Sequence, residues 1–362
     1  MQKIFIQKKI LIVPLDWGLG HATRCIPIIR QLQRMDCEII VASFHEQLML
    51  LQKEFPHLSF IFLNGYNISY SKQKRWLPFK ILMQTPKILL SINKEHKWLR
   101  KIIEQQKIDA VISDNRYGLY TSKVPCVFIT HQLRIKVPFR WLENFIQNIN
   151  YRFIDHYTEC WVPDFEGDLN IAGSLSHPLK MPSVPIKYIG PLLRFELNNN
   201  KHEKKYEYLF ILSGPEPQKS IFEKKILQIL SQIKGSVMIL RGKPGEEDVI
   251  NSFENCTIVN HLTTDELQNI LNESEFVISR CGYTTVMEIL SLRKKSILVP
   301  TPGQTEQEYL AKHLMQQHWC YSCEQDDDLL LHINKAKEFE FRLPSFKNDN
   351  LKSVIESFLK KI

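Results

Sequence analysis

Short apolar runs alternate with longer amphipathic segments along the first half of the chain. Helices predicted at residues 21–35 and 44–53 separate the first of these runs. Strands separated by helices of this length pair in parallel, so the pattern predicts a sheet with helices on both faces. The predicted strands occupy residues 9–14, 38–43, 58–63, 110–113, 124–129, 160–162 and 187–189.

The same alternation restarts after a polar stretch at residues 196–205, which is predicted to be a linker. Two α/β domains are therefore expected, at 1–195 and 206–345, followed by a final helix within 346–362. Open parallel sheets bind ligands at the carboxyl ends of their strands, so the cleft between the domains is the expected site. The later predicted elements are strands at 208–212, 237–240, 257–259, 276–279 and 297–299, and helices at 219–233, 265–271, 284–292, 307–316 and 349–360.

The composition is that of a soluble globular protein. With 362 residues, 44% hydrophobic and 24% charged, the chain is long enough to form two cores. No apolar run approaches the roughly 20 residues that a membrane-spanning helix needs. Among the eight cysteines, only Cys320 and Cys323 form a CxxC pair, and no second pair completes a zinc site. We therefore expect a reduced, cytoplasmic protein that uses neither a metal nor a cofactor.

The net charge of +8 is concentrated in one segment. Residues 66–101 contain nine lysines and arginines against the single acid Glu95, interleaved with bulky apolar residues. This mixture is typical of a helix that lies on an anionic membrane surface. The alternative is an amphipathic helix that packs within its own domain while its lysines are solvated. No known nucleic-acid-binding module is present, so nucleic acid is not expected as a partner.

A glycine turn joins the apolar run 276–279 to the helix predicted at 284–292. The residues Gly282, Tyr283 and Thr284 place free backbone amides at the start of this helix. A helix start carries partial positive charge and unpaired donors, so it suits a phosphate group. Glu288 follows about one turn later, where its carboxylate could accept hydrogen bonds from a ribose diol. Together these residues predict a nucleoside diphosphate site.

The first strand ends in a loop that predicts a second part of the site. Gly18 and Gly20 allow a tight turn and the close approach of an acceptor, and His21 opens the following helix. A histidine at this place could take a proton from a hydroxyl near neutral pH, or it could simply donate a hydrogen bond at the helix start. Asp114 follows the strand at 110–113 and could assist this base or cap a helix.

Further polar residues follow other predicted strands. Arg194, before the linker, could reach a diphosphate or be a surface charge. His131 and Gln132 end a buried strand and are candidate acceptor contacts, whereas His261 is expected near the nucleotide base. A second strand-to-helix turn, after the strand at 208–212, offers another candidate phosphate contact through Ser213 and Gly214.

Residues 279–290, together with Val299, Pro300 and Gln307, resemble the donor-binding signature of GT-B glycosyltransferases, and most of all that of the MurG-like, family 28 group. The resemblance implies two doubly wound Rossmann-like domains that face each other across a cleft, with a final helix that crosses back to the first domain. It also implies the inverting, metal-independent transfer of a sugar from a UDP-sugar, such as a UDP-N-acetylhexosamine. The acceptor would be a hydroxyl on a sugar or on a lipid-linked molecule.

The same resemblance assigns roles to individual residues. Glu288 would bind the ribose, Glu306 and Gln307 would contact hydroxyls of the donor sugar, and His21 would lie near the acceptor hydroxyl. Arg280 lies within the signature itself and is included among the donor contacts. The diphosphate would be held by Arg194, Ser213, Gly214, Gly282, Tyr283 and Thr284. The first loop has fewer glycines than in MurG enzymes, which bears on the acceptor more than on the chemistry.

Two other classes use a related scaffold. A nucleotide-sugar hydrolase or epimerase would act on the donor alone, and a nucleotide-sugar-binding protein would leave it intact. For a transferase with a lipid-linked acceptor, the basic segment 66–101 predicts peripheral attachment to the inner face of the cell membrane.

Overall fold

The computed structural model describes residues 7–66, 77–137, 140–195, 203–243, 251–253, 255–346 and 350–362. For 77–85, 140–141 and 251–253 it describes the backbone alone. Most of the predicted linker 196–205, and residues 67–76 of the basic segment, lie outside these ranges. Within them the strands form two sheets of seven.

The first sheet has the strand order β3-β2-β1-β4-β5-β6-β7, and every neighbouring pair is parallel. The chain moves outward from β1 to β3 and then returns to place β4 on the other side of β1. Such a switch point opens a crevice at the carboxyl ends of the central strands. The strands are β1 Lys9–Pro14, β2 Glu38–Ser43, β3 Ser59–Phe62, β4 Ala110–Asp114, β5 Cys126–Ile129, β6 Glu159–Val162 and β7 Ile186–Tyr188.

Helices cover both faces of this sheet because its strands are apolar on both sides. Ile10 and Ile12 of β1 enter one core, whereas Leu11 and Val13 enter the other. A parallel sheet buried on both faces has this pattern of continuous apolar strands. The helices of the first half are α1 Leu19–Gln33, α2 His45–Glu54, α3 Leu77–Gln106 and α4 Arg140–Ile154.

The second sheet has the order β10-β11-β9-β8-β12-β13-β14 and is parallel except where β10 pairs with β11. Its strands are β8 Tyr206–Ile211, β9 Val237–Leu240, β10 Asn251–Phe253, β11 Cys256–Val259, β12 Ser274–Ser279, β13 Lys295–Leu298 and β14 Tyr321–Ser322. Its helices are α5 Gln218–Ile229, α6 Thr264–Glu273, α7 Tyr283–Ser291, α8 Thr305–Gln316 and α9 Leu329–Glu338.

The final helix, α10 Asn350–Leu359, packs on the first half of the chain. Its Phe358 is buried against Trp161 of β6, with ring centroids 5.5 Å apart. Next to it, the ammonium of Lys361 lies 2.5 Å from the carboxylate of Glu159. The predicted class of two parallel α/β units with a helix that crosses back is therefore confirmed.

Candidate functional site

The centre of the candidate site is a contact between the start of α1 and the end of β4. Register pairs Pro14 at the end of β1 with Asp114 at the end of β4, so the first loop and this carboxylate share one edge of the sheet. Nδ1 of His21 lies 2.9 Å from Oδ2 of Asp114. The Asp114 side chain is fully buried, whereas that of His21 keeps 15% of its surface exposed. The structure thus brings together the two predicted catalytic residues.

Arg24, one turn further along α1, joins this pair. Its Nε lies 2.8 Å from Oδ2 of Asp114, and its Nη2 donates to Oδ1 of the same carboxylate. Nη2 also lies 2.9 Å from Nδ1 of His21, and Nη1 lies 3.3 Å from Nδ1 of His131. Sequence analysis did not identify Arg24, although its position three residues after His21 places both side chains on one face of the helix.

Neighbouring charges and burial determine the protonation states of Asp114 and His21. Burial opposes the ionisation of Asp114, but Arg24 and then His21 outweigh it, so the pKa of this carboxyl is lowered. Burial, followed by the positive charge of Arg24, lowers the pKa of His21 against the opposing effect of Asp114. A neutral imidazole beside an ionised carboxylate follows near pH 7, and this is the form in which histidine can accept a proton.

Two predicted acceptor contacts meet a predicted donor contact across the cleft. Nε2 of His131 lies 2.5 Å from Oε1 of Glu306 at the start of α8, and the Gln132 amide donates to the other carboxylate oxygen. The His131 ring also stacks on Tyr283, with ring centroids 4.1 Å apart. Burial opposes the ionisation of Glu306, yet His131 and Arg24 lower its pKa.

The start of α7 faces the first loop. The hydroxyl of Thr284 donates to the carbonyl of Gly20 at 3.1 Å, and that of Tyr283 donates to the carbonyl of Pro163 at 2.8 Å. Gly282, the residue before the helix, has no side chain to cap the first amides, and a Cβ built there would meet no atom within 4 Å. The first amides of a helix have no partner within the helix, so open space beside them suits an anionic ligand.

Glu288 is paired with Arg194. Nε and Nη2 of the arginine lie 2.7 Å and 3.0 Å from the two carboxylate oxygens. Burial raises the pKa of Glu288, although Arg194 opposes this effect. Glu288, which is predicted to bind the ribose, therefore forms an ion pair with Arg194, which is predicted to bind the diphosphate.

Ser213, Gly214 and Arg280 are predicted donor contacts that follow strands of the second sheet. Gly214 follows β8 with φ of +95°, a conformation that favours glycine. The guanidinium of Arg280 is buried; it donates to the Gln218 carbonyl at 2.8 Å and lies 4.3 Å from the Phe222 ring. These contacts fix the start of α5, just after the loop that contains Ser213 and Gly214.

Gln307 and His261 are the last two predicted donor contacts, and they lie in α8 and just before α6. The side-chain carbonyl of Gln307 accepts from the Thr301 amide at 2.8 Å and so fixes the loop before α8. His261 is half-buried just before α6, whose start is closed by reciprocal hydrogen bonds between Thr263 and Glu266.

The basic segment forms much of α3. In the part of α3 whose side chains are described, Lys87, Lys94 and Lys97 are exposed, while the apolar Leu89 and Leu90 keep 48% and 62% of their surface accessible. Helix α4 exposes Phe145 at 60%. Across the described ranges, we find no helix that combines the length and the hydropathy needed to cross a membrane.

The chain is similar to known glycosyltransferases in sequence and in fold. Residues 208–341 match the sequence model of the Glycosyltransferase family 28 C-terminal domain. An uncharacterized glycosyltransferase of Methanosarcina acetivorans is 22% identical over 83% of this chain and 81% of its own length. The UDP-N-acetylglucosamine--N-acetylmuramyl-(pentapeptide) pyrophosphoryl-undecaprenol N-acetylglucosamine transferase of Clostridium perfringens is 24% identical over 78% and 75%. The crystal structure of Acinetobacter baumannii MurG superposes with a TM-score of 0.56 at 14% identity, covering 98% of this chain and 100% of that one.

Proposed function

Because the chain is a MurG-like glycosyltransferase of the GT-B fold, we propose that it moves a sugar from a UDP-sugar to an acceptor hydroxyl, with inversion and without a metal ion. The C. perfringens relative, by its name, transfers N-acetylglucosamine from its UDP form to a lipid-linked acceptor, which supports a UDP-N-acetylhexosamine as donor.

The observation that carries the proposal is the contact between the start of α7 and the loop that contains His21. Thr284 donates to the carbonyl of Gly20, the residue immediately before His21. A diphosphate on the amides of α7 would thus place its sugar beside the imidazole. The base and the leaving group would then lie on opposite sides of the anomeric carbon, as a single displacement requires.

The chemistry follows from these positions. His21 donates Nδ1–H to Asp114, and its Nε2 takes the proton of the acceptor hydroxyl. The oxygen of that hydroxyl forms a bond to the anomeric carbon as the bond to the diphosphate breaks, and the diphosphate leaves with the electron pair. Backbone amides at the start of α7 stabilise the charge that develops on the diphosphate, which is electrostatic stabilisation by groups already in place.

Donor recognition is assigned to the second half of the chain. Glu288 would accept from the ribose hydroxyls, with Arg194 moving from it toward the diphosphate. Ser213, Gly214, Gly282, Tyr283 and Thr284 would contact the phosphates, Glu306 and Gln307 the sugar, and His261 the region of the base. For Arg280 we propose support of the phosphate loop, because its guanidinium is bound to protein carbonyls.

The acceptor side is assigned to the first half, with Gly18, Gly20, His131 and Gln132 near the incoming hydroxyl. A lipid-linked acceptor would explain why α3 exposes the apolar Leu89 and Leu90 between Lys87 and Lys94. We include peripheral attachment to the cytoplasmic face of the membrane in the proposal, since apolar insertion and charge attraction act together at an anionic surface.

A thermal-shift series tests the donor. UDP is expected to raise the melting temperature more than GDP or dTDP at equal concentration, because a ligand that binds only the folded state stabilises it. No stabilisation by any nucleoside diphosphate would overturn the proposed donor site.

Product analysis tests the reaction itself. Transfer is expected only when the UDP-sugar is supplied together with a lipid extract or a sugar acceptor. Rapid release of free sugar from the donor alone would identify a hydrolase, and its conversion to an epimer would identify an epimerase. An intact donor after long incubation with acceptors would favour a binding protein.

A further inference from the structure

Arg24 is one of the most deeply buried charged side chains in the chain, with 2% of its side-chain surface exposed. It contacts residues from three places in the first half: His21 on its own helix, Asp114 at the end of β4 and His131 after β5. A guanidinium has five N–H donors and cannot accept a hydrogen bond, so its orientation is fixed by acceptors alone. The two oxygens of Asp114 supply that fixed, two-point contact.

This arrangement bears directly on the tautomer of His21. Its Nδ1 lies 2.9 Å from both Oδ2 of Asp114 and Nη2 of Arg24. A neutral imidazole has one N–H and one lone pair, so Nδ1 either donates to the carboxylate or accepts from the guanidinium. Only the first choice leaves a lone pair on Nε2, the nitrogen for which no protein partner occurs among the described residues.

The carboxylate is the stronger partner. A hydrogen bond from an imidazole N–H to an ionised carboxylate is charge-assisted, and it requires Asp114 to stay ionised although it is fully buried. Arg24 provides the positive charge that permits this, and its two-point contact turns the carboxylate so that Oδ2 faces His21. Nη2 carries two N–H groups, of which one donates to Oδ1 of Asp114 and the other is free to lie beside Nδ1 of His21, so the tautomer is decided by the stronger attraction of the imidazole N–H to the carboxylate.

We propose that Arg24 is a positioning residue for the acceptor base: it fixes the ionised Asp114 carboxylate so that His21 keeps its proton on Nδ1 and offers Nε2 to the acceptor hydroxyl. The inference rests on the proposed function of His21, and it adds Arg24 to the His21–Asp114 pair. Arg24 touches neither reactant in this assignment and acts only through Asp114.

The charged and titratable groups that face His21 come from four elements. They are Arg24 on α1, Asp114 on β4, His131 after β5 and, through His131, Glu306 on α8. Removing the positive charge of Arg24 leaves Asp114 as the dominant neighbour, which favours the protonated imidazole. The acid limb of the kcat profile, where His21 gains a proton and loses its function, therefore moves to higher pH.

The test compares Arg24→Met with Arg34→Met, which changes the exposed arginine that directly follows the same helix. For Arg24→Met we expect kcat to fall by about 10²-fold, the range of general-base catalysis, with an upward shift of the acid limb and an unchanged Kd for UDP. Arg34→Met should retain the wild-type profile. A wild-type kcat in Arg24→Met, or a lower kcat with an unshifted acid limb, would overturn the positioning role.

Two further measurements distinguish the positioning role from a loss of folding and from a failure of the proposed function. Arg24→Lys preserves the charge but not the two-point contact, so it should fold if Arg24→Met does not, and it should lose kcat with little shift of the acid limb. Imidazole NMR of the wild-type protein reports the His21 tautomer without turnover, and a proton on Nδ1 is expected. A proton on Nε2 would refute the role of Arg24, whereas an Nδ1 proton with no transfer to any acceptor would refute only the proposed function.

Discussion

Arg194 and Glu288 form a two-point ion pair, with Nε–Oε1 and Nη2–Oε2 distances of 2.7 Å and 3.0 Å. They are separated by 94 positions in the sequence, and each is a predicted contact of the nucleotide-sugar donor. A nucleotide that uses Glu288 for its ribose must share or displace the guanidinium. Competition between a ligand and an internal ion pair lowers the observed affinity, so binding reports on both residues together.

Replacing Glu288 by alanine is expected to weaken UDP binding by about tenfold or more, since hydrogen bonds to a charged group contribute roughly 1.5–3 kcal/mol. Calorimetric titration with UDP measures this loss. Glu275→Ala, at an exposed glutamate of the same domain, is the control and should bind as the wild type does. If Glu288→Ala kept the wild-type Kd, the ribose would not be held by this carboxylate.

Replacing His21 by alanine should reduce turnover by about 10²-fold or more, because the acceptor hydroxyl loses its base. The Kd for UDP should not change, since the donor contacts are assigned to Arg194 and to the second domain, not to His21. Initial rates at saturating donor, together with the titration, separate the two effects. His57→Ala, which changes an exposed histidine after α2, is the matched control. Full turnover by the His21 variant would remove this residue from the mechanism.

The peripheral membrane proposal predicts that the protein binds vesicles with anionic lipid at low salt and dissociates as salt is added, because salt screens the attraction. The double change Leu89→Glu with Leu90→Glu should abolish sedimentation with these vesicles, since it places acids on the exposed apolar part of α3. Leu331→Glu changes an equally exposed leucine of α9 and should still bind. Wild-type protein that remains unbound at low salt would leave a soluble acceptor as the better assignment.

Lys294 gives a prediction about stability. Burial, together with the neighbouring Lys204, lowers the pKa of Lys294 to about 7, whereas a lysine in an unfolded chain titrates near 10.4. Between these values the unfolded chain binds more protons, so the free energy of unfolding rises with pH. Between pH 7 and pH 9 this contribution is on the order of 2 kcal/mol.

Urea unfolding of the wild type and of Lys294→Met at both pH values measures this contribution. The variant should lack the rise, while Lys295→Met, at the exposed neighbour, should retain it. Equal pH dependence in the wild type and in Lys294→Met would show that the ammonium is not destabilised by its surroundings.

The sequence pattern was sufficient for the central strands, because a strand buried on both faces is apolar along its whole length. It did not reveal β10 and β14, which have three and two residues and lie at the edges of the second sheet. Helix α9 is also absent from the predicted elements. The structure shows that Asp328 caps this helix, because its side chain accepts a hydrogen bond from the Leu331 amide.

Part of the candidate site could be predicted from short sequence motifs. His21 and Gly282 stand out because a glycine turn precedes a helix, which is visible within ten residues. The contacts of Arg24 with Asp114, and of His131 with Glu306, join positions 90 and 175 residues apart. No short motif encodes such pairs. For Arg280, the sequence motif is visible, but the contact of its guanidinium with the Phe222 ring, 58 positions earlier, is not.

The eight cysteines have a practical consequence for studying motion between the two domains. All are buried, and burial raises the pKa of each thiol, so the reactive thiolate is scarce at neutral pH. Maleimide dyes should therefore react slowly with the native protein. A cysteine introduced on each domain surface would then carry a fluorophore pair on an otherwise unlabelled chain, and energy transfer could follow the opening of the cleft as nucleotide is added.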